Sequence, residues 1–307
     1  MSSSSIRAIR EHVTSKDGAS SELQLFRAPD EQGPVVLVIP AMGTPAGYYD
    51  KLGLALANRG VHAALFELRG LGTSNLRASR ETDFGYGTII EQDIPAALER
   101  VRAHLPQAPL FFLGHSLGGH LSFLTLARGQ VERVRGVALV ASGLPYHAAW
   151  SAMGGLGLRA LAEVSRVSTA LLGYFPGQRF RFAGREARTI MAEWAHAVRT
   201  GEFALETWTG ETPPEQALAA VECPVLAVTL ARDTLAPRRS TDLLLAKVPK
   251  CAVSRIRYVP EDGLPESAGN HNRWPRHPDA IATHLAEWMA TLVQREPVQQ
   301  PAGHSPS

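Results

Sequence analysis

Residues 109–119 read Pro-Leu-Phe-Phe-Leu-Gly-His-Ser-Leu-Gly-Gly: an apolar run, then a serine between two glycines, then residues that fit a helix. A serine hydroxyl is a weak nucleophile unless it stands clear of its neighbours, where a base can take its proton. A sharp turn from strand into helix supplies that exposure, and Gly114-His-Ser116-Leu-Gly118 has the spacing of such a turn. Ser116 must then adopt a strained backbone conformation, so the positions two before and two after it have no room for a side chain. A helix opening at Leu117 would also direct its first amides at negative charge developing on a substrate oxygen. The predicted chemistry is attack by Ser116 on a carbonyl carbon, with the Leu117 amide as one donor to the oxyanion.

Such a turn needs a sheet behind it. Residues 35–39 form an unbroken aliphatic run, as expected of a strand buried on both faces of a parallel sheet. A helical segment over 48–58 leads to a second strand near 62–67. Ile94, Ala97, Leu98, Val101 and Leu105 mark one face of a helix before the strand at 110–113. Further strands fit 137–140, 224–230 and 253–259, and a last helix fits 280–293. The alternation predicts an α/β fold with a mostly parallel, doubly wound sheet.

The chain has 307 residues, 45% of them apolar, enough for one large domain with an insertion. Its 31 basic and 29 acidic residues are spread evenly, which leaves no stripe suited to a phosphate backbone, so no nucleic-acid partner is expected. The first 20 residues lack an apolar signal core, and no apolar run reaches the roughly 18 residues that a membrane span needs. A cytoplasmic protein without a membrane span is expected. Cys223 and Cys251 each open an apolar run and read as buried thiols.

About 80 residues separate the strand ending near Ala141 from the one starting near Pro224, too many for a structureless loop. Ile190, Met191, Trp194 and Val198 share one helical face there, and Leu158, Leu161, Val164 and Val167 recur at spacings of three. The expected division is an extension over 1–20, a core over 21–142 and 223–294, a helical cap over 143–222, and a disordered tail over 295–307. In a sheet of this kind ligands bind beyond the carboxyl ends of the strands, where the cap emerges. Tyr146, Trp150 and Trp194 are its candidate pocket residues.

With these residues in view the chain resembles the α/β-hydrolase superfamily of serine hydrolases over 23–292. The elbow carries the resemblance, and so does Glu67-Leu-Arg-Gly-Leu-Gly-Thr-Ser74, which is similar to a D-x-R-G-x-G-x-S loop with Glu in place of Asp and reads as a structural turn. Pro40-Ala-Met-Gly43 with Tyr48-Tyr49, and Gly173-Tyr-Phe-Pro-Gly177, resemble a bacterial subgroup of predicted hydrolases. The resemblance implies the catalytic order Ser, Asp or Glu, His. It points to Asp233, in Ala-Arg-Asp-Thr-Leu-Ala-Pro just past the strand at 224–230, and to a histidine in Gly269-Asn-His271-Asn-Arg-Trp-Pro-Arg-His277-Pro. His271 is preferred over His277, which directly precedes Pro278 and the final helix. Glu261 and Asp262 are the next acids in line. The resemblance also implies a second oxyanion donor after the first strand, here the Met42 backbone amide, where Pro40-Ala41 replaces the usual His-Gly.

A serine at the elbow argues against dehalogenase and epoxide-hydrolase chemistry, which use aspartate there. No metal-ligand motif occurs among the 11 histidines and two cysteines, and no metal or cofactor is expected. The reading is hydrolysis of an ester, thioester or lactone of a small or medium uncharged acyl group through an acyl-enzyme. Acyl transfer by the same triad, or a ligand-binding protein on a hydrolase fold, are the alternatives.

Overall fold

Period-two alternation sends the side chains of each central strand into two separate cores. In the computed structural model Val35, Leu37 and Ile39 of β3 (Val35–Ile39) enter one hydrophobic cluster, while Val36 and Val38 enter the other. Phe112 and Phe111 divide in the same way, as do Val225 and Leu226. A strand covered on both faces gains from unbroken aliphatic sequence, because every position contributes apolar burial. The structure describes residues 6–131, 133–180 and 182–294, so the tail expected over 295–307 lies outside the described residues.

The main elements in chain order are β1 (Ala8–Thr14), β2 (Ser20–Phe26), β3, α1 (Asp50–Ala57), β4 (His62–Phe66), a short α2 (Tyr86–Thr88), α3 (Ile94–His104), β5 (Leu110–His115) and α4 (Leu117–Arg128). They continue with β6 (Val134–Val140), α5 (Ala152–Leu172), β7 (Tyr174–Pro176), β8 (Arg185–Ala187), α6 (Arg188–Thr200), α7 (Pro214–Ala220), β9 (Pro224–Leu230), α8 (Arg238–Leu245), β10 (Ala252–Tyr258) and α9 (Asp279–Gln294). Eight strands form one sheet in the order β1-β2-β4-β3-β5-β6-β9-β10. The six strands from β4 to β10 run parallel, and β2 runs antiparallel to both its neighbours, β1 and β4. Helices α1 and α9 cover one face, and α3, α4, α7 and α8 supply apolar side chains to the other. This is the α/β-hydrolase fold, with a helical cap inserted between β6 and β9.

One feature differs from the expectation. The first 20 residues are not merely an extension, since β1 pairs with β2 from Ala8 opposite Phe26 to Thr14 opposite Ser20. Strand β1 is an edge with one face toward solvent, so Arg10, Glu11 and His12 interrupt its apolar residues and no run stands out. In the cap, Leu158 and Leu161 turn inward, whereas Val164 and Val167 are exposed. A spacing of three falls short of a 3.6-residue turn and rotates steadily around the helix, so four such residues cannot share one face.

A buried ion pair ties the β1–β2 hairpin to the helical layer. Arg69 reaches both oxygens of Asp93, at 2.6 and 2.5 Å, and also Asp17 in the hairpin turn, while Ser15 Oγ donates to Asp93. Both charged side chains are nearly inaccessible, and the two-pronged geometry satisfies each.

Candidate active site

Strand β5 ends at His115 and α4 begins at Leu117, so a single residue makes the turn between them. Ser116 has φ 53° and ψ −114°, a conformation that side-chain-bearing residues rarely adopt. Three bonds hold it there: its amide donates to the Val140 carbonyl, and its carbonyl accepts from the Gly119 amide and from Ser142 Oγ. The flanking glycines are required by close approach. A Cβ at Gly114 would lie 2.3 Å from the Gly119 nitrogen, and one at Gly118 would lie 2.0 Å from the Ile39 carbonyl oxygen. Leu117 is the first residue of α4, so its amide has no acceptor within the helix.

Asp233 follows β9, and its side chain is fully buried. Its Oδ1 accepts the amides of Leu235 and Ala236, and its Oδ2 lies 2.8 Å from His271 Nδ1. One carboxylate thus closes its own turn with one oxygen and holds the imidazole with the other. That bond places the Nδ1 proton toward Asp233 and leaves Nε2 as the ring's free base. His271 and Ser116 line the same cavity. His277 lines a different surface depression with Lys51 and Asp279, and Glu261 and Asp262 line that depression too.

The cavity above Ser116 has a volume of about 440 Å³. Its floor is Met42, Leu117 and His120, and its cap wall is Trp150, Leu158, Leu161, Phe182 and Trp194. No Asp, Glu, Lys or Arg lines it among the described residues. Trp150 donates from Nε1 to the Thr234 carbonyl at 2.9 Å, which fastens the cap to the turn carrying Asp233. Tyr146, expected in the pocket, is elsewhere. Its ring packs over Gly201 at the end of α6 and edge-on against His147, which takes its side chain away from the cavity. Leu158, Leu161 and Phe182 take that part of the wall; the first two carried a helical signal in the sequence, and Phe182 carried none.

Met42 lies in the loop after β3, whose backbone is pinned from two sides. Glu67 Oε1 accepts the Ala46 amide and its Oε2 the Thr73 amide, so the acid of the Glu67–Ser74 loop is a structural clamp rather than part of the cavity. Burial raises the Glu67 pKa, and these two amides work against that shift. The Ala41 amide is committed to Tyr49 Oη. Gly43, at φ +70°, has the cap backbone at Ala183–Gly184 directly against it. His120 donates from Nε2 to the Gly143 carbonyl and is held neutral by burial, its pKa lowered to about 4. Among the described residues no group of three His, Cys, Asp or Glu could hold a metal ion, and no helix is long and apolar enough to cross a membrane.

The family model described as serine aminopeptidase, S33, matches residues 30–261. No curated protein matches the chain significantly. Solved structures of similar fold include a hydrolase from Pseudomonas aeruginosa PA01 (18% identity, TM-score 0.54, 91% of this chain and 98% of that one). An esterase from Rhodococcus sp. ECU1013 is similar at 16% identity and TM-score 0.54, over 92% of this chain and 99% of that one. A bromoperoxidase from Bacillus anthracis is similar at 16% identity and TM-score 0.55, over 93% of this chain and all of that one. At these identities the likeness is one of fold.

Proposed function

For a chain that belongs to the serine aminopeptidase S33 family of serine hydrolases, we propose hydrolysis of esters, thioesters or lactones of uncharged small or medium acyl groups. Ser116 is the nucleophile, His271 the base and Asp233 the acid that orients it. In this reading Ser116 Oγ attacks the substrate carbonyl as its proton passes to His271 Nε2, and the carbonyl oxygen becomes an oxyanion. The Leu117 amide and, with Ala41 already committed, the Met42 amide are the donors to that oxyanion. The leaving group departs with the proton from His271, giving an acyl-serine. Water then repeats the sequence and frees the acid.

The composition of the cavity wall carries the substrate class. An aminopeptidase must hold a substrate ammonium group, and a buried charge without a partner is costly. The aromatic and aliphatic wall offers no carboxylate for that purpose. It favours acyl chains, each buried methylene contributing about 0.8 kcal/mol, or about fourfold in binding. The test is kcat/KM on p-nitrophenyl esters of increasing length, beside aminoacyl anilides with a free amine. The expected profile climbs over the first few carbons and falls once the cavity is full. A flat profile, or a preference for the aminoacyl anilides, would overturn the substrate reading.

A further inference from the structure

Two fully buried side chains outside the cavity connect all three segments that surround it. The Ala41 amide donates to Tyr49 Oη at 3.0 Å, and Tyr49 Oη lies 2.7 Å from His115 Nδ1. A hydroxyl that already accepts one bond has its own hydrogen to give. Burial keeps the His115 imidazole neutral, far below its ordinary pKa, so Nδ1 can receive that hydrogen. The chain therefore runs from Ala41 N–H to Tyr49 Oη–H to His115 Nδ1. Ala41 directly precedes Met42, and His115 directly precedes Ser116 and Leu117. The third segment is attached as well. The His115 ring packs 5.0 Å from that of His271, and neighbouring Tyr48 donates its hydroxyl to the Asn272 carbonyl at 2.5 Å.

Packing alone would be served as well by phenylalanine at position 49, without the cost of burying a hydroxyl. From this placement we infer that Tyr49 is a positioning residue, whose hydroxyl, acting through the Ala41 amide and the His115 ring, sets the spacing of the Met42 and Leu117 amides so that both reach one oxyanion. The inference rests on the serine-hydrolase reading above. It assigns a mechanistic part to a tyrosine that touches neither substrate nor nucleophile.

The test compares transition-state and ground-state binding in the full chain. Tyr49→Phe should lower kcat on p-nitrophenyl butyrate by about 10- to 100-fold while KM changes little. Its inhibition constant for an alkyl boronic acid, which forms a tetrahedral adduct on serine, should rise by a similar factor. A general loss of packing would not separate the two in this way. A paired comparison at His115 covers the case of an insoluble Tyr49→Phe. His115→Asn keeps an acceptor near the Nδ1 position and should retain most of the activity, whereas His115→Leu should fall as far as Tyr49→Phe. Wild-type kcat and boronate affinity in Tyr49→Phe, or equal losses in His115→Asn and His115→Leu, would overturn the inference. A wild-type protein without esterase activity would instead overturn the functional reading beneath it.

Discussion

Gly118→Ala measures how tightly the nucleophile turn is pressed against the oxyanion loop. The added Cβ would stand 2.0 Å from the Ile39 carbonyl oxygen and 2.7 Å from its carbon, with the Pro40 oxygen at 3.0 Å. Carbon and oxygen rarely come closer than about 3.3 Å, so the two backbones must part by roughly 1 Å. No flexible side chain can give way instead. Ile39 ends β3, where it is in register with Gly114, and the next three residues lead to Met42, so the displacement falls directly on the proposed pair of oxyanion donors. A misplacement of that size costs about 100-fold in rate, comparable to the ~2.7 kcal/mol for losing one oxyanion donor. Overpacking should lower stability by only about 1–3 kcal/mol. The assay is kcat on a short-chain ester beside thermal unfolding of the same preparation. The expected result is a fall of about two orders of magnitude in kcat from a protein that still unfolds cooperatively. A folded Gly118→Ala enzyme with wild-type kcat would show that the turn and the loop are not pressed together in this way.

Asp233→Asn should lower kcat by about three to four orders of magnitude with little change in KM, because an amide facing Nδ1 favours the wrong tautomer of His271. His277→Ala should leave both constants near wild type, since His277 lines a different depression. Asp93→Asn leaves the buried Arg69 guanidinium with Asp17 as its one carboxylate partner and should cost about 1.5–3 kcal/mol in chemical denaturation. Glu186, buried in the cap, has its pKa raised by burial from 4.5 to about 7. The folded state therefore holds that proton more tightly, so the group's contribution to stability is full below its unfolded pKa and is lost as pH rises through its folded one. Between about pH 5 and pH 8 the Tm of Glu186→Gln should therefore rise relative to wild type, because the variant lacks that loss. A Tm difference that stays constant with pH would contradict this.

The strands buried on both faces were legible as unbroken aliphatic runs, and the elbow was legible because close backbone approach permits only glycine at positions 114 and 118. Strand β1 was hidden by its exposed face. Its one local signal, Asp17-Gly18 in a tight turn with Gly18 at φ +84°, is the pairing that hairpins prefer. The pocket wall was legible only in part. Trp150 and Trp194 reach the cavity and Tyr146 does not, because the direction of a loop side chain depends on tertiary packing that composition does not encode. Asp233 and His271 came from the order that the resemblance implies, and no periodicity shows that residues 38 positions apart share a hydrogen bond. Tyr49 and His115 were visible as residues, but their partnership spans 66 positions and arises only when β5 lies beside β3.

If Ser116 is a nucleophile activated by His271 and Asp233, it must react with an electrophile that spares ordinary serines. The most direct measurement is covalent labelling of the full chain by a fluorophosphonate, with the modified peptide located by mass spectrometry. A single adduct is expected on Ser116, absent in Ser116→Ala and slowed by orders of magnitude in His271→Ala. No labelling of the folded wild-type protein, or an adduct on any other residue, would contradict it.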